Sequence, residues 1–148
     1  MAIFSKTCEY AIRAVFFIAY KTSEGGRVSL KDVAAGIDTA ELYLAKILQA
    51  LSRAGIISSF KGPNGGFFID VDALNKPISE IVETFDGNDL FVGCALGLKH
   101  CSEINPCPLH EEFAVIRNKI SDLLKTTTIG NFNQELLTGL LSLKRNNI

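Results

Sequence analysis

The sequence predicts a mainly α-helical protein that carries one small β-hairpin. Apolar residues recur at helical spacing over most of the 148-residue chain, and one segment near its middle combines β-branched residues with a glycine-rich turn. A hydrophobic content of 47% is ample for a buried core. We therefore expect a folded domain of ordinary size, extended by a further helical element.

Three helices are predicted before the hairpin. The first spans about residues 5–20, and the second spans about residues 29–36. The third is predicted to begin at a capping box formed by Asp38 and Glu41 and to run to about residue 53. Its inward face consists of apolar residues at helical spacing, namely Leu44, Ile47, Leu48 and Leu51.

The residue pattern changes after the third helix. Residues 56–61 are β-branched and aromatic, residues 67–69 resume an extended pattern, and residues 62–66 between them contain an Asn-Gly turn at Asn64. This pattern predicts a β-hairpin. Three helices followed by a hairpin is the order of a winged helix-turn-helix module, which we assign to residues 1–75.

The second half of the chain contains two more helical patterns around an irregular loop. Residues 77–85 predict a fourth helix, residues 86–108 predict a loop that contains three cysteines, and residues 109–124 predict a helix of about four turns. We therefore divide this half into a linking helix with a sensor loop, residues 76–108, and a dimerisation helix with a C-terminal segment, residues 109–148.

Charge and composition exclude several classes of protein. Residues 1–66 carry eight Lys and Arg against five Asp and Glu, whereas residues 67–148 carry seven against eleven, and the basic first half suits contact with nucleic acid. The apolar stretch of residues 14–20 is too short for a secretory core or a membrane span, so we expect a cytoplasmic protein with no membrane partner. The chain has no phosphate loop, nucleophile elbow or paired catalytic carboxylates, and we expect no enzyme.

Candidate DNA-binding residues lie on the third helix and at the hairpin tip. A helix that reads a groove needs hydrogen-bonding groups and a cation, and glycines at a hairpin tip let a neighbouring lysine approach the minor groove. The candidates are Thr39, Leu42, Tyr43, Lys46, Gln49, Lys61, Gly62, Pro63, Asn64 and Gly65. The alternatives are a solvated helix face, which we would favour for the helix considered alone, and an ordinary surface turn. Leu42 fits DNA only as a contact to a thymine methyl group.

Three of the four cysteines are clustered. Cys94, Cys101 and Cys107 lie within fourteen residues, and His110 follows three residues later. Thiolates are the natural ligands of iron–sulfur clusters and zinc, but the chain has no Cys-x2-Cys pair of the zinc-finger type. Three other interpretations stay open: buried structural cysteines, a thiol-redox regulator in which two loop cysteines form a disulfide, and a small iron–sulfur electron carrier, although such carriers usually use four cysteines.

Several of these segments together resemble the iron–sulfur cluster regulator family of winged-helix repressors, which includes the IscR, NsrR, CymR and BadM types. The resemblance covers nearly the whole chain, through residues 5–12, 43–48, 51–56 and 61–67 and the three-cysteine loop before a long helix. It implies a transcription regulator, and more specifically a repressor, as is usual in this family. Its third helix would enter the major groove and its wing lysine the minor groove of an operator in double-stranded DNA.

The same resemblance implies an iron–sulfur cluster, of 2Fe-2S or 4Fe-4S type, bound by Cys94, Cys101 and Cys107. The spacing of six and then five residues between these cysteines differs from the five and five of the best-known member, which leaves the cluster type open. Two residues are candidates for the fourth ligand. His110 matches the histidine ligand of some relatives, and Glu9 matches an acidic residue that reaches across the dimer in others. A surface histidine and a solvated glutamate are the plain alternatives.

The helix after the cysteine loop carries an apolar stripe. Its residues are Phe113, Ile116, Ile120 and Leu123. The stripe is too apolar to leave in water, and the family resemblance assigns a dimer interface to this helix. We therefore expect a symmetric homodimer that reads half-sites about one helical turn apart.

Overall fold

The computed structural model describes residues 2–23 and 25–144, so the last four residues of the predicted C-terminal segment lie outside the described part. In chain order its elements are α1 (Lys6–Thr22), α2 (Leu30–Ile37), α3 (Glu41–Arg53), β1 (Ser58–Phe60), β2 (Gly66–Phe68), a 3-10 turn (Asp72–Asn75), α4 (Ser79–Asp86), α5 (Asp89–Val92), α6 (His110–Thr126) and α7 (Asn133–Leu137). The predicted class, mainly α with one hairpin, is confirmed.

Two helices begin at serine caps, at the predicted starts of residues 5 and 29. The Ser5 hydroxyl accepts a hydrogen bond from the backbone N–H of Cys8 at the start of α1, and the Ser29 hydroxyl accepts one from Asp32 at the start of α2. Each bond satisfies a backbone donor that the first helical turn leaves without a partner. The apolar faces of α1, α2 and α3 then pack together into a shared core.

The predicted start of α3 is wrong. Asp38 does not cap α3; it ends α2 in the left-handed conformation with φ 56°, and its backbone N–H bonds to Ala34. The helix begins three residues later at Glu41, after Ala40, which provides no side-chain cap. Asp is one of the few non-glycine residues that adopt the left-handed conformation readily. Asp38 therefore ends α2 with its backbone instead of capping α3 with its side chain.

The hairpin begins later than the residue pattern predicts. Ile56 is still part of the turn that ends α3, because its N–H bonds back to the carbonyl of Leu51 while Gly55 takes φ 74°. Ile56 and Ile57 are both buried in the core, and β1 follows them at residue 58. The observed strand therefore begins two residues after the start of the predicted strand, residues 56–61, because Ile56 and Ile57 pack in the core.

A third segment supports the hairpin. Strands β1 and β2 pair antiparallel, with Ser58 opposite Phe68 and Phe60 opposite Gly66. Val28, in the connection before α2, exchanges two backbone hydrogen bonds with Phe67 at 2.8 and 2.7 Å. No residue pattern in the sequence predicted this pairing of Val28 with Phe67, which fixes the hairpin to the helical core.

The second half packs back on the first. α1 contacts α4 and α7 as well as α2 and α3, and α6 lies against α4 and α5. The short helix α5 falls inside the loop predicted for residues 86–108, so that part of the prediction is wrong. Helix α5 begins at Asp89, two residues after Gly87, and its four residues are too few for a periodic pattern to be recognised. Across the described residues, no helix is long and apolar enough to cross a membrane.

Candidate nucleic-acid interface and cysteine site

An open groove of about 720 Å³ lies between α3 and the hairpin. Lys46 and Gln49 line it from α3, and Lys61 and Gly62 line it from the hairpin. These four residues are exposed, so their polar groups are free to meet a partner. The structure thus brings together predicted residues that are separated by up to sixteen positions in the chain.

The first turn of α3 is held to α1. The hydroxyl of Tyr43 lies 3.0 Å from that of Thr7, and its ring packs edge-on against Tyr10 with centroids 5.5 Å apart. Leu42 beside it is 87% exposed, and Thr39 is half-buried just before the helix. Tyr43, a predicted DNA-binding residue, therefore also fixes where the exposed face of α3 points.

The hairpin tip requires glycine. The N–H of Gly65 bonds to the carbonyl of Gly62, and a Cβ atom at Gly65 would lie 2.2 Å from the carbonyl oxygen of Phe60. Pro63 and Asn64 are exposed between the two glycines. The turn is therefore tight, and it leaves its backbone and the side chain of Lys61 accessible to a neighbouring surface.

Arg27 supports the hairpin, a role that was not predicted from the sequence. Its guanidinium carbon lies 3.7 Å from the centroid of the Phe60 ring, and its Nη1 donates to the carbonyl of Asn64 at 3.1 Å. Stacking on an aromatic face and a bond to the turn hold the strand and the tip in one position. The only feature of the sequence that pointed to this role of Arg27 was its position next to the glycine pair Gly25 and Gly26.

The cysteine loop and the start of α6 share one close side-chain contact. The Sγ of Cys101 lies 3.3 Å from Nδ1 of His110, and Cys94 lines the same surface cavity as Cys101. The backbone N–H groups of Leu96 and then Leu98 hold the pKa of the Cys94 thiol below its ordinary value, because they stabilise the thiolate. All four predicted loop ligands are thus near one end of α6, and the three thiols are half-buried.

These donors suit an iron–sulfur cluster in kind, since three thiols and one imidazole match the ligands that such clusters use. Of these four side chains, Cys101 and His110 are in contact, and within the described ranges no three His, Cys, Asp or Glu side chains converge at metal-binding distance. Arg117 of α6 reaches the same loop, and its buried Nε has no hydrogen-bond partner among the described residues. Glu9, the other predicted ligand, lies on α1 and pairs with Lys6 at 3.2 Å.

Cys8 is buried and chemically quiet. Burial raises the pKa of its thiol to about 12, and Asp86 adds to the effect by charge and by a hydrogen bond. Asp86 also accepts the backbone N–H of Ser5 at 2.9 Å and bonds the Ser5 hydroxyl. Burial and a raised pKa are typical of a structural cysteine.

The apolar stripe of α6 is divided between two faces. Ile116 and Leu123 are 53% and 61% exposed, whereas Phe113 is half-buried and Ile120 packs against the core of its own chain. Val115 is 55% exposed and lies beside Ile116. The outward part of α6 is therefore an apolar surface on the described chain, made of residues 115, 116 and 123.

A helical core, a third helix with an exposed polar face and a hairpin that shares its groove define a winged helix-turn-helix DNA-binding protein. The chain belongs to the Rrf2 family, described as iron-dependent transcriptional regulators, which matches residues 4–135. It is therefore a transcription regulator and not an enzyme, as the sequence predicted.

Named relatives agree with this assignment. A protein of Aquifex aeolicus (strain VF5), described as an HTH-type transcriptional regulator, is 33% identical over 129 residues, which are 86% of this chain and 88% of that protein. The transcriptional regulator IscR of Escherichia coli (strain K12 / DH10B) is 28% identical over 130 residues, 86% of this chain and 79% of that protein. The solved structure of CymR, the global cysteine regulator of B. subtilis, has a TM-score of 0.71 at 22% identity and covers 90% of this chain and 97% of that one.

Proposed function

We propose that this chain is a homodimeric transcription regulator whose operator binding is controlled by an iron–sulfur cluster. The observation that carries the proposal is the contact of Cys101 with His110 at the start of α6, in the loop that also carries Cys94 and Cys107. The name IscR of one relative and the iron-dependent description of the family support it.

In this proposal α3 and the hairpin contact the operator. Lys46 and Gln49 reach into the major groove, while Lys61 reaches the backbone or minor groove beside it. Arg27 supports the hairpin through Phe60, and Tyr43 holds α3 against α1 through Thr7. The width of the groove between α3 and the hairpin therefore depends on how α1 and the hairpin are placed relative to each other.

The three cysteines and His110 are the proposed ligands. A bound cluster would supply a redox-sensitive centre that is gained or lost with iron supply and oxidants. His110 is preferred over Glu9 as the fourth ligand because its Nδ1 already contacts Cys101, whereas the Glu9 carboxylate is engaged with Lys6. The loop of residues 93–108 is mostly exposed and contains Gly93, Gly97, Pro106 and Pro108, so it is able to close around a ligand.

The proposed second copy covers the outward face of α6. Ile116 and Leu123 would be buried there, as an apolar helix surface is in a symmetric interface. A dimer of this kind also suits a palindromic operator, since two recognition helices would be related by the same two-fold axis.

The test is a spectrum of the full chain purified without oxygen, followed by operator binding with and without the chromophore. We expect charge-transfer absorbance in the visible range and a change in operator affinity when it is lost. His110→Ala is expected to shift or abolish the absorbance, and Glu9→Ala is the comparison. A stable, unchanged cluster in His110→Ala together with its loss in Glu9→Ala would reverse the choice of ligand.

A second candidate is a thiol-redox regulator without a cluster. The lowered pKa of the Cys94 thiol, to which backbone N–H groups and Cys107 contribute, favours it, because the thiolate is the form that enters disulfide exchange. The same sample decides between the two: colourless anaerobic protein whose operator affinity changes with a Cys94–Cys107 disulfide, identified by peptide mass, would favour the second candidate.

A further inference from the structure

Arg117 occupies an unusual position in the middle of α6. Its Nη1 donates to the carbonyl of Gly93 at 3.0 Å and to the Sγ of Cys101 at 3.1 Å. Gly93 directly precedes Cys94, so one guanidinium touches both ends of the loop segment from residue 93 to residue 101. Arg117 thereby ties the loop to the middle of α6, in addition to the contact of Cys101 with His110 at the start of the helix.

One further donor of Arg117 is buried. Its Nε is shielded from solvent and has no hydrogen-bond partner within residues 2–23 and 25–144. The ion pairs found in that part of the chain are Lys6 with Glu9 and Lys76 with Glu80, so the charge of Arg117 is set against sulfur rather than carboxylate. An arginine stays protonated at any ordinary pH, and an unmade bond at a buried donor is costly. The site therefore has one cationic donor more than the chain itself satisfies.

We propose that Arg117 is the positioning residue of the cysteine site, holding the loop on α6 and donating hydrogen bonds to a sulfur-ligated cluster. This inference rests on the proposed function. Nη1 bonds the ligand sulfur of Cys101, and Nε is the donor left for a further acceptor of the bound group. Arg117 ligates no metal in this role; it acts through Cys101 and through the main chain at Gly93.

The expected consequence is a higher reduction potential. Reduction adds negative charge, and both the positive charge of Arg117 and its hydrogen bond to sulfur stabilise the more negative state. Because α6 also carries Ile116 and Leu123, the same residue joins the sensor loop to the proposed dimer interface.

The experiment compares Arg117→Gln and Arg117→Lys with a matched control, Lys119→Gln, in the anaerobic full chain. Lys119 is exposed on the same helix, so its substitution removes the same charge without touching the loop. Arg117→Gln is expected to lower the equilibrium constant for one-electron reduction about tenfold, which is a shift of about 59 mV in midpoint potential. Lys119→Gln is expected to keep the wild-type potential. Equal potentials in wild type and Arg117→Gln would overturn the proposal.

A second readout needs no cluster. Lys99 is exposed inside the segment that Arg117 anchors, and cleavage by a lysine-specific protease after Lys99 reports how firmly the loop is held. We expect apoprotein Arg117→Gln to be cut there several-fold faster than wild type or Lys119→Gln. Arg117→Lys, which keeps the charge without the planar fork, should be intermediate in both readouts.

The two readouts separate the possible failures. Absence of charge-transfer absorbance in the wild type would refute the proposed cluster, and the cleavage rates alone would then decide the role of Arg117. Equal cleavage of wild type and Arg117→Gln would overturn the anchoring role. If Arg117→Gln takes up no cluster while Arg117→Lys and Lys119→Gln do, the requirement for a cation at this position is supported.

Discussion

Replacing Lys46 or Lys61 by alanine tests whether the groove between α3 and the hairpin is the operator-binding surface. Both lysines line that groove, one from each side, and both are exposed. Neither belongs to the ion pairs found among the described residues, so each substitution removes a free cation rather than a structural contact. We expect little effect on stability, within about 0.5 kcal/mol, as for most exposed positions.

The magnitude follows from counterion release. Each lost phosphate contact reduces the slope of log affinity against log salt by about 0.9 for double-stranded DNA. For one lysine, the ratio of wild-type to variant affinity should therefore fall by about 3.5-fold between 50 and 200 mM salt. The double variant should lose about 1.8 in slope if the two contacts are independent.

The assay is fluorescence anisotropy with a labelled operator duplex, selected from random DNA with the wild-type protein, at four salt concentrations. Lys125→Ala is the control, because it removes an exposed lysine near the end of α6, on the side of the helix opposite Ile116 and Leu123. Its slope is expected to equal that of the wild type. Unchanged affinity and unchanged slope in both Lys46→Ala and Lys61→Ala would refute the placement of DNA in this groove.

Three further predictions concern the dimer, the buried thiol and the hairpin. Glutamate at both Ile116 and Leu123 should give a monomer by sedimentation at micromolar concentration, with weakened binding to a palindromic operator; an intact dimer would locate the interface elsewhere. The raised pKa of Cys8, about 12 against an ordinary value of 9.0, means that the unfolded thiol ionises first, so unfolding free energy should fall as pH rises above about 9, by at most about 1.4 kcal/mol per pH unit. Cys8→Ala should remove that dependence, and equal pH profiles would contradict it. Arg27→Ala should weaken operator binding with an unchanged salt slope, because Arg27 positions Phe60; a reduced slope would instead indicate a phosphate contact.

The helices and the hairpin were predictable because their signals are local. Ser5 and Ser29 cap the helices that follow them, and the Asn-Gly turn closes the hairpin, within a few residues of each signal. Asp38 shows where a local signal becomes ambiguous. Its side chain suits a helix cap and its backbone tolerates the left-handed conformation, and only the packing of α2 against α3 decides between these uses.

Parts of the site were not predictable because they depend on approach in three dimensions. Arg27 meets Asn64 across 37 positions, and Ser5 meets Asp86 across 81. No periodic pattern encodes such pairs. Arg117 did leave a signal, since it falls on the inward face of α6 between the half-buried Phe113 and Ile120, where an apolar residue would be expected. A lone cation on the inward face of a helix that follows three cysteines identifies a residue with a polar partner inside.

The contacts around α1 bear on how a change in the cysteine loop would reach DNA. Asp86, at the end of α4, accepts hydrogen bonds from Ser5 at the start of α1, and α5 and the loop follow it directly. Within the first two turns of the same helix, α1 holds Tyr43 of α3 through Thr7 and Tyr10. The first turns of α1 thus lie between the sensor side and the DNA-reading helix, and α1 itself is rigid because its inner face is fully buried. Proximity alone does not establish coupling. It is measured by a double-mutant cycle in which Asp86→Asn and Cys101→Ser are combined and operator affinity is the readout: purely additive effects would mean that the loop signals by another route, through α6 and the second copy.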